Sequence, residues 1–185
     1  MKGRMRAILA AALVPVLTLA VFAVCGVLYP VSNEGIPDEA TCAFLQRSEA
    51  CRVQDLKFFG GVCVGDQRID YFEWGEDLGQ VHLTRCLLTG TYRIDSVSWG
   101  GGNFREEILE EDGQKYFLLA GRNACFGIAR AEADIANRTY GLEIPAGERF
   151  VALTEIEEAE ADHVLPEDIR FYVEAGRDIS HDIPW

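Results

Sequence analysis

The stretch that decides the fold is residues 104–120, FREEILEEDGQKYFLLA. Its centre, Asp112-Gly113, separates two runs that are rich in strand-forming residues, 104–111 and 114–120. Asp-Gly between two such runs is typical of a tight β-hairpin turn, in which both central residues take a positive φ. The sequence therefore predicts an antiparallel strand pair here.

Shorter runs of β-branched and aromatic residues, bounded by glycine or aspartate, surround this hairpin. They predict strands at 53–59, 61–65, 68–74, 80–88, 91–99, 149–154 and 169–174. Helices are predicted from Pro37 to about residue 47, over the alanine-rich 128–138, and over the acidic 155–162, with an irregular tail from Gly176. The expected fold class is mainly β (α+β), with a few short helices.

The motif G-x-x-R-I-D-x-x-x-W-G occurs twice, beginning at Gly65 and again at Gly90. It ends at Trp74-Gly75 in the first copy and at Trp99-Gly100 in the second. Two copies are too few for a repeat solenoid. The motif therefore predicts two similar hairpins within one sheet or barrel, with chance similarity as the alternative.

The N-terminal segment, residues 7–29, contains 23 residues and no charge. A helix needs about 20 apolar residues to cross a bilayer. Three basic residues precede the segment and acidic residues follow it, so the positive-inside rule places the N-terminus in the cytoplasm. We expect domain boundaries at 1–29 (membrane anchor or signal segment), 30–37 (linker) and 38–185 (one extracytoplasmic β-rich domain).

The fate of this segment has two alternatives besides an uncleaved anchor. A cleaved signal peptide has a shorter apolar core, of about 7–15 residues, but Val21-Phe22-Ala23 offers a cleavage site. Lipidation at Cys25 is disfavoured because the residues before it match a lipobox poorly. We favour the uncleaved, single-pass anchor. Arginine-rich, lysine-poor usage suggests a bacterial inner membrane, with the domain in the periplasm, or exported if the segment is cleaved.

The rest of the chain is strongly acidic. Residues 30–185 contain all 30 acidic but only 14 of the 17 basic residues, which gives them a net charge of −16. Such a surface repels phosphate backbones, so nucleic acid is excluded as a partner, while a cationic protein partner is compatible. High solubility is the simpler explanation of the same charge.

Five cysteines follow the apolar segment, and in an oxidising compartment they are disulfide candidates: Cys42, Cys51, Cys63, Cys86 and Cys125. An odd number leaves at least one thiol unpaired, and spacing alone does not fix the connectivity. Cys42 with Cys51 is the pairing we favour. No CxxC motif occurs, so neither a thioredoxin-type site nor a zinc site is predicted.

An aromatic, glycine-rich loop is the candidate binding site. Three glycines let the backbone bend or approach a ligand closely, and large rings flank them. The predicted binding residues are Trp74, Trp99, Gly100, Gly101, Gly102, Asn103 and Phe104. A plain hairpin connection would show the same pattern, and no phosphate-binding lysine follows the glycines.

Catalytic motifs are absent from the sequence. His82, His163 and His181 lie in no HExxH motif, no GxSxG motif occurs, and no cofactor or metal site is predicted. The acidic residues between Glu155 and Asp162 lack the glycine turn of a calcium loop. We therefore expect a membrane-tethered binding or accessory module that docks on another envelope protein. The alternative is a small exported enzyme, for example a hydrolase, that uses His82 or His163 with nearby carboxylates.

Overall fold

The computed structural model describes residues 2–33, 35–49, 55–157 and 163–185, and their side chains in 13–33, 35–47, 55–157 and 163–185. The protein is mainly β. Its helices are α1 (Lys2–Leu28) and α2 (Asp38–Glu49), and two 3₁₀ turns lie at Pro166–Asp168 and Ser180–Asp182. The strands are β1 (Lys57–Val64), β2 (Gln67–Trp74), β3 (Asp77–Arg85), β4 (Tyr92–Gly100), β5 (Phe104–Glu111), β6 (Gln114–Arg122), β7 (Ile128–Ile135), β8 (Arg138–Glu143), β9 (Arg149–Ile156) and β10 (Ile169–Val173).

The strands form three antiparallel sheets that stack as layers. The first sheet has the order β1-β2-β3-β4, the second β5-β6-β9, and the third β10-β7-β8. One buried cluster joins the first sheet to the second, through Ile69 and Leu118 among others, and a larger one joins the second to the third. A third cluster lies on the outer face of the first sheet, where Val31 and α2 cover it.

The middle sheet explains why residues 104–120 matter most. In β6 the successive residues Phe117, Leu118, Leu119 and Ala120 are all fully buried. Alternate side chains of a strand point to opposite faces, so Phe117 and Leu119 enter the cluster with the third sheet, and Leu118 enters the cluster with the first. A continuous apolar run is what a strand buried on both faces requires.

The predicted hairpin is confirmed. Strands β5 and β6 pair from Phe104↔Gly121 to Glu111↔Gln114, and the turn residues Asp112 and Gly113 have φ values of 51° and 78°. These are the positive angles that a two-residue type I′ turn needs. Asp-Gly supplies them at low strain, because glycine has no Cβ and aspartate tolerates the left-handed region.

The predicted helix at 128–138 is wrong. Residues 128–135 form β7, the turn falls at Ala136-Asn137, and β8 begins at Arg138. The run Arg130–Ile135 alternates charged and apolar residues, and only the apolar ones, Ala131, Ala133 and Ile135, are buried. Period-two burial against the middle sheet therefore outweighs the helix propensity of alanine.

Two further predictions concern the C-terminal third. The strand predicted at 149–154 continues to Ile156, so the beginning of the helix predicted at 155–162 is strand, and residues 158–162 lie outside the described part. The tail is irregular apart from a 3₁₀ turn, as predicted, but it is docked: Ile179 and Ile183 are buried in the core.

The repeated motif maps onto equivalent places in the first sheet. Gly65 and Gly90 have φ values of 56° and 71° and lie in the β1–β2 and β3–β4 connections. Each copy also carries an arginine–aspartate ion pair, Arg68–Asp70 at 2.7 Å and Arg93–Asp95 at 2.8 Å. The two hairpins lie side by side in one sheet, as the repeat predicts.

The N-terminal part of the chain attaches to the outer face of this sheet. Backbone hydrogen bonds in both directions join Val31 to Tyr92, at 3.0 and 2.7 Å. Helix α2 packs against the same face, with Leu45 and Thr41 buried. In the portion of α1 whose side chains are described, from Leu13 on, and in every other described helix, no segment is both long and apolar enough to cross a membrane.

Candidate binding surface at the end of the first sheet

The two motif tryptophans meet on the outer face of the first sheet. Trp74 ends β2 and Trp99 lies near the end of β4, and their ring centroids are 5.8 Å apart in an edge-to-face arrangement. Both rings are half-buried. Edge-to-face aromatic pairs are favourable and rigid, so the pair presents a preformed apolar surface.

A glycine in the intervening strand β3 supports this arrangement. Gly79 pairs with Phe72 of β2 and with Trp99 of β4. A Cβ at position 79 would lie only 2.3 Å from Cζ of Phe72. Glycine therefore leaves room for the Phe72 ring to cross the sheet beneath the two tryptophans.

Arginine side chains hold the glycine loop between Trp99 and Phe104. The Arg105 guanidinium donates to the carbonyl oxygens of Gly100 at 2.7 Å and of Leu78 at 2.8 Å. Asn103 donates its side-chain amide to the carbonyl of Pro184 at 2.8 Å. The loop carbonyls are thus largely satisfied internally, and Gly101 is the exposed residue of the loop.

Phe104 does not share this surface. Its side chain is buried, and its ring lies 4.7 Å from Phe171 and 5.3 Å from Trp185, between the second and third sheets. Of the predicted binding residues, the structure brings Trp74, Trp99 and Gly100–Gly102 together, but it places the Phe104 ring in the core. Alternation in β5 is the physical reason, since position 104 faces the third sheet.

A charged clamp lies beneath the tryptophan pair. The Glu73 carboxylate accepts from Nε of Arg122 at 2.9 Å and pairs with Arg149 at 2.7 Å. The Arg149 contact, reinforced by Arg122, holds the pKa of Glu73 below its usual range despite partial burial. The clamp ties β2 of the first sheet to β6 and β9 of the second, so it fixes the base of the surface. The sequence gives no signal for this contact between distant residues.

A shallow cavity of about 330 Å³ lies beside Trp74. Its lining consists of Asp55, Lys57, Glu73, Trp74 and Gly75. Because Arg122 and Arg149 neutralise Glu73, the rim offers the carboxylates of Asp55 and of the exposed Glu76 beside one lysine, Lys57, which leaves it with a small net negative charge. Aromatic faces attract cations, and carboxylates attract them further, so this surface suits an arginine or lysine side chain.

A larger cavity, which the sequence did not predict, lies where the linker crosses β1 and β2. It has a volume of about 510 Å³, and Phe58, Phe59 and Arg68 contribute to its walls. The Arg68 guanidinium already donates to the carbonyls of Asn33 and Gly35 and pairs with Asp70. Burial raises the pKa of Asp70, and Arg68 opposes that rise. These polar groups fasten the linker and leave little capacity for a ligand.

The histidines lie apart from the tryptophan surface. His82 lies between the first and second sheets, with Nε2 3.2 Å from Oε2 of Glu107 and 3.0 Å from the Gln80 amide nitrogen. His163 and His181 are exposed. Four surface cavities of about 330–510 Å³ are lined without a histidine.

The cysteines of the described residues carry free thiols, with Cys63 and Cys125 exposed, Cys42 half-buried and Cys86 buried. Cys51 lies outside the described residues, so the favoured Cys42–Cys51 disulfide stays a prediction. Within the described part of the chain, no group of three or more histidine, cysteine, aspartate or glutamate residues is arranged to hold a metal ion.

Comparison with known proteins identified no related protein. No family profile matches the chain, and neither a curated protein nor a solved structure shows significant similarity. The functional argument therefore depends on the geometry of the surface itself.

Proposed function

We propose that this protein is a membrane-tethered, extracytoplasmic binding module that docks on another envelope protein through the Trp74–Trp99 surface. Residues 7–29 form its single-pass anchor in a bacterial inner membrane, with the N-terminus in the cytoplasm. The uncharged length of this segment and the charge asymmetry at its two ends support the assignment.

The observation that carries the proposal is the position of the tryptophan pair. The anchor segment joins the domain where Val31 pairs with Tyr92, at the start of β4, whereas Trp99 lies near the end of that strand. Trp99 lies seven residues after Tyr92 along the strand, a span of roughly 20–25 Å. The aromatic surface therefore lies at the end of the sheet remote from the anchor, where a neighbouring envelope protein is accessible.

The acidic rim specifies the chemistry of the partner. A basic patch with arginine or lysine side chains would pair with Glu76 and Asp55 and stack on the two indoles. Half-exposed tryptophans on a rigid base are typical binding hot spots. Such an interface would weaken as ionic strength rises, because the rim charges are solvent-exposed.

The test is cross-linking in native membranes followed by gentle detergent extraction. Wild-type protein should give a discrete cross-linked complex, and W74A and W99A should each reduce its yield at least about tenfold, as truncation of a hot spot does. Tyr172→Ala, which removes an aromatic ring from the third sheet, is the matched control and should leave the yield unchanged. Equal yields for W99A and wild type would contradict the proposal.

A second candidate function, an exported hydrolase, is favoured by one observation. His82 contacts the Glu107 carboxylate, which is the arrangement of a general base and the group that orients it. Hydrolysis of p-nitrophenyl acetate by the purified protein, reduced about 10²-fold or more in H82N, would support it. Identical rates for the two proteins would exclude His82 as the base.

A further inference from the structure

The loop that joins β3 to β4, residues 86–91, carries two of the most exposed apolar side chains of the domain. Leu87 is 81% exposed and Leu88 is 66% exposed. The loop is nevertheless well formed, since the amide of Cys86 donates to the carbonyl of Thr91 and the amide of Gly90 donates to the carbonyl of Cys86, both at 2.7 Å. A rigid loop that points two leucines outward is unusual unless something apolar covers them.

The base of this loop touches α1. Tyr92, the residue that follows the loop, pairs through its backbone with Val31 just beyond α1, and the Cys25 side chain is near enough to Cys86 to influence its pKa. Cys25 lies four residues before Tyr29, which corresponds to about 6 Å along a helix axis. The loop therefore lies level with the last turns of α1 rather than beyond its end.

The surface of α1 at this level is also apolar and uncovered. Val24, Val27 and Leu28 are all more than half exposed. Tyr29, just after the helix, lies beneath the Arg93 guanidinium with 5.7 Å between the guanidinium carbon and the ring centroid. Tyrosine and arginine at the end of an apolar helix are typical of the membrane–water interface. The two leucines follow Cys86 directly in the chain, so they adjoin this apolar end of the helix.

We propose that Leu87 and Leu88 insert into the bilayer interface as a second membrane contact, which sets the orientation of the domain on its anchor. This inference rests on the proposed membrane anchor. With the β3–β4 loop in the interface, the strands of the first sheet stand away from the membrane, and the Trp74–Trp99 surface faces outward. The occupant is lipid, because the leucines are continuous with helix positions that lipid covers in the anchored protein.

The full chain, reconstituted in phosphatidylcholine vesicles, provides the test. Leu88→Trp adds an indole at the loop, and its emission is obtained by subtracting that of the wild type, which accounts for the three native tryptophans. Vesicles with brominated acyl chains should quench the added emission by about half or more, since an interfacial residue lies within ~5–10 Å of the acyl boundary. The matched control is Leu153→Trp, at an exposed leucine midway along β9, whose added emission should be unaffected.

Flotation of the same vesicles separates the two proposals. If the protein floats with the vesicles and the L88W emission is not quenched, the anchor stands and the loop insertion is wrong. If the protein does not float, the anchor is wrong and the loop insertion falls with it. Quenching of L88W and L153W to the same extent would also overturn the inference, because it would show general adhesion of the domain rather than insertion of this loop.

Discussion

At the scale of single residues, the features that matter are charges and thiols whose environment is fixed by distant parts of the chain. Glu73 is the clearest case, because its two arginine partners come from another sheet. Cys86 is the local counterpart, because the hydrogen-bond donors that act on its sulfur come mainly from its own β3–β4 loop. Each leads to a measurable prediction.

Glu73→Gln should lower the free energy of unfolding at pH 7 by about 1.5–3 kcal/mol, the range for hydrogen bonds to charged groups. The lowered pKa of Glu73 means that its stabilisation is present above the ordinary pKa of 4.5 and is lost as the pH falls below that value. The free energies of unfolding of wild type and Glu73→Gln, measured in urea, should therefore become equal in acid. Glu148→Gln, at an exposed carboxylate 3.9 Å from Arg149, is the control and should have little effect. A pH-independent difference would contradict the ion-pair explanation.

The Cys86 thiol should titrate near neutrality. The Thr89 hydroxyl, together with the backbone amides of Leu88 and Thr89 and the Cys25 thiol, lowers the pKa of Cys86 to about 7. Thr89→Val removes the largest of these contributions and should raise the pKa toward the ordinary value of 9.0. The ultraviolet absorbance of the thiolate, measured as wild type minus Cys86→Ser, follows the titration. Thr139→Val, at an exposed threonine of β8 in the third sheet, is the matched control, and an equal shift in both valine variants would refute the specific role of Thr89.

At the scale of secondary-structure elements, the periodicity of the buried side chains decides whether a segment becomes a strand or a helix. Strand β6 is buried on both faces, β7 on one, and the turn between β7 and β8 carries strain. Ala136 and Asn137 have φ values of 49° and 68°, a left-handed conformation that alanine adopts at a cost. Glycine at the first of these positions would relieve that cost.

Ala136→Gly should stabilise the protein by up to about 1 kcal/mol, because the turn requires a positive φ there. Ala129→Gly, the same substitution inside β7, should instead destabilise it by roughly 0.5–1 kcal/mol through the entropy of the unfolded chain. Thermal unfolding of the two variants should move in opposite directions. Destabilisation by both would show that the turn does not need the left-handed conformation.

Leu118→Ala should cost about 2–5 kcal/mol, the usual range for a cavity in a well-packed core. Its neighbour across the β6–β9 ladder, Leu153, is 40% exposed, so Leu153→Ala should cost about 1 kcal/mol or less. Chemical denaturation of both variants separates the effect of burial from that of residue type, because the same substitution is made at a buried and at an exposed position. Similar losses at both positions would argue against the middle sheet as the core of the molecule.

At the scale of the whole molecule, the proposed arrangement has an axis. The anchor and the Leu87–Leu88 loop lie at one end of the first sheet, and the tryptophan surface lies at the other. The second and third sheets stack behind the first and share the largest hydrophobic cluster. In this arrangement, anchoring one end of the rigid sheets at the membrane fixes the distance of the Trp74–Trp99 surface from the membrane.

A reporter fused after Trp185 tests this arrangement at its first step. Alkaline phosphatase should be active there in a bacterial host, since in the proposed topology the charge asymmetry of residues 1–39 directs the domain across the membrane. Replacing Lys2, Arg4 and Arg6 together with glutamine should reduce that activity, because it removes the positive charges that orient the segment. Fluorescence from a reporter that folds only in the cytosol, fused at the same position, would place the C-terminus in the cytosol and overturn the proposed compartment.

The fold was partly predictable because local signals and tertiary packing agree over most of the chain. Asp112-Gly113 predicts its turn, and the duplicated motif predicts two hairpins in one sheet. The error at 128–138 arose where two local signals conflict, namely the helix propensity of alanine and the period-two alternation of Ala131 and Ala133. Packing against the middle sheet resolves that conflict, and no residue within the segment reveals the sheet.

The candidate surface was predicted in outline only. The sequence pointed to Trp74, Trp99 and the glycines between Trp99 and Phe104, because large rings beside glycine are uncommon. It did not show that the two indoles touch, that Arg105 holds the loop, or that Phe104 faces inward. Those facts depend on which strands are neighbours.

By itself, then, the sequence determined the β-rich class, the central hairpin, the acidic domain and the uncharged N-terminal segment. Each of these depends on local composition or on the period of side chains along one element. The tertiary structure alone decided the stacking order of the three sheets, the Glu73 clamp, the pairing of the tryptophans and the contact of the β3–β4 loop with α1. These join residues far apart in the chain, and the free energy of such contacts is specified by packing between elements rather than by any one of them.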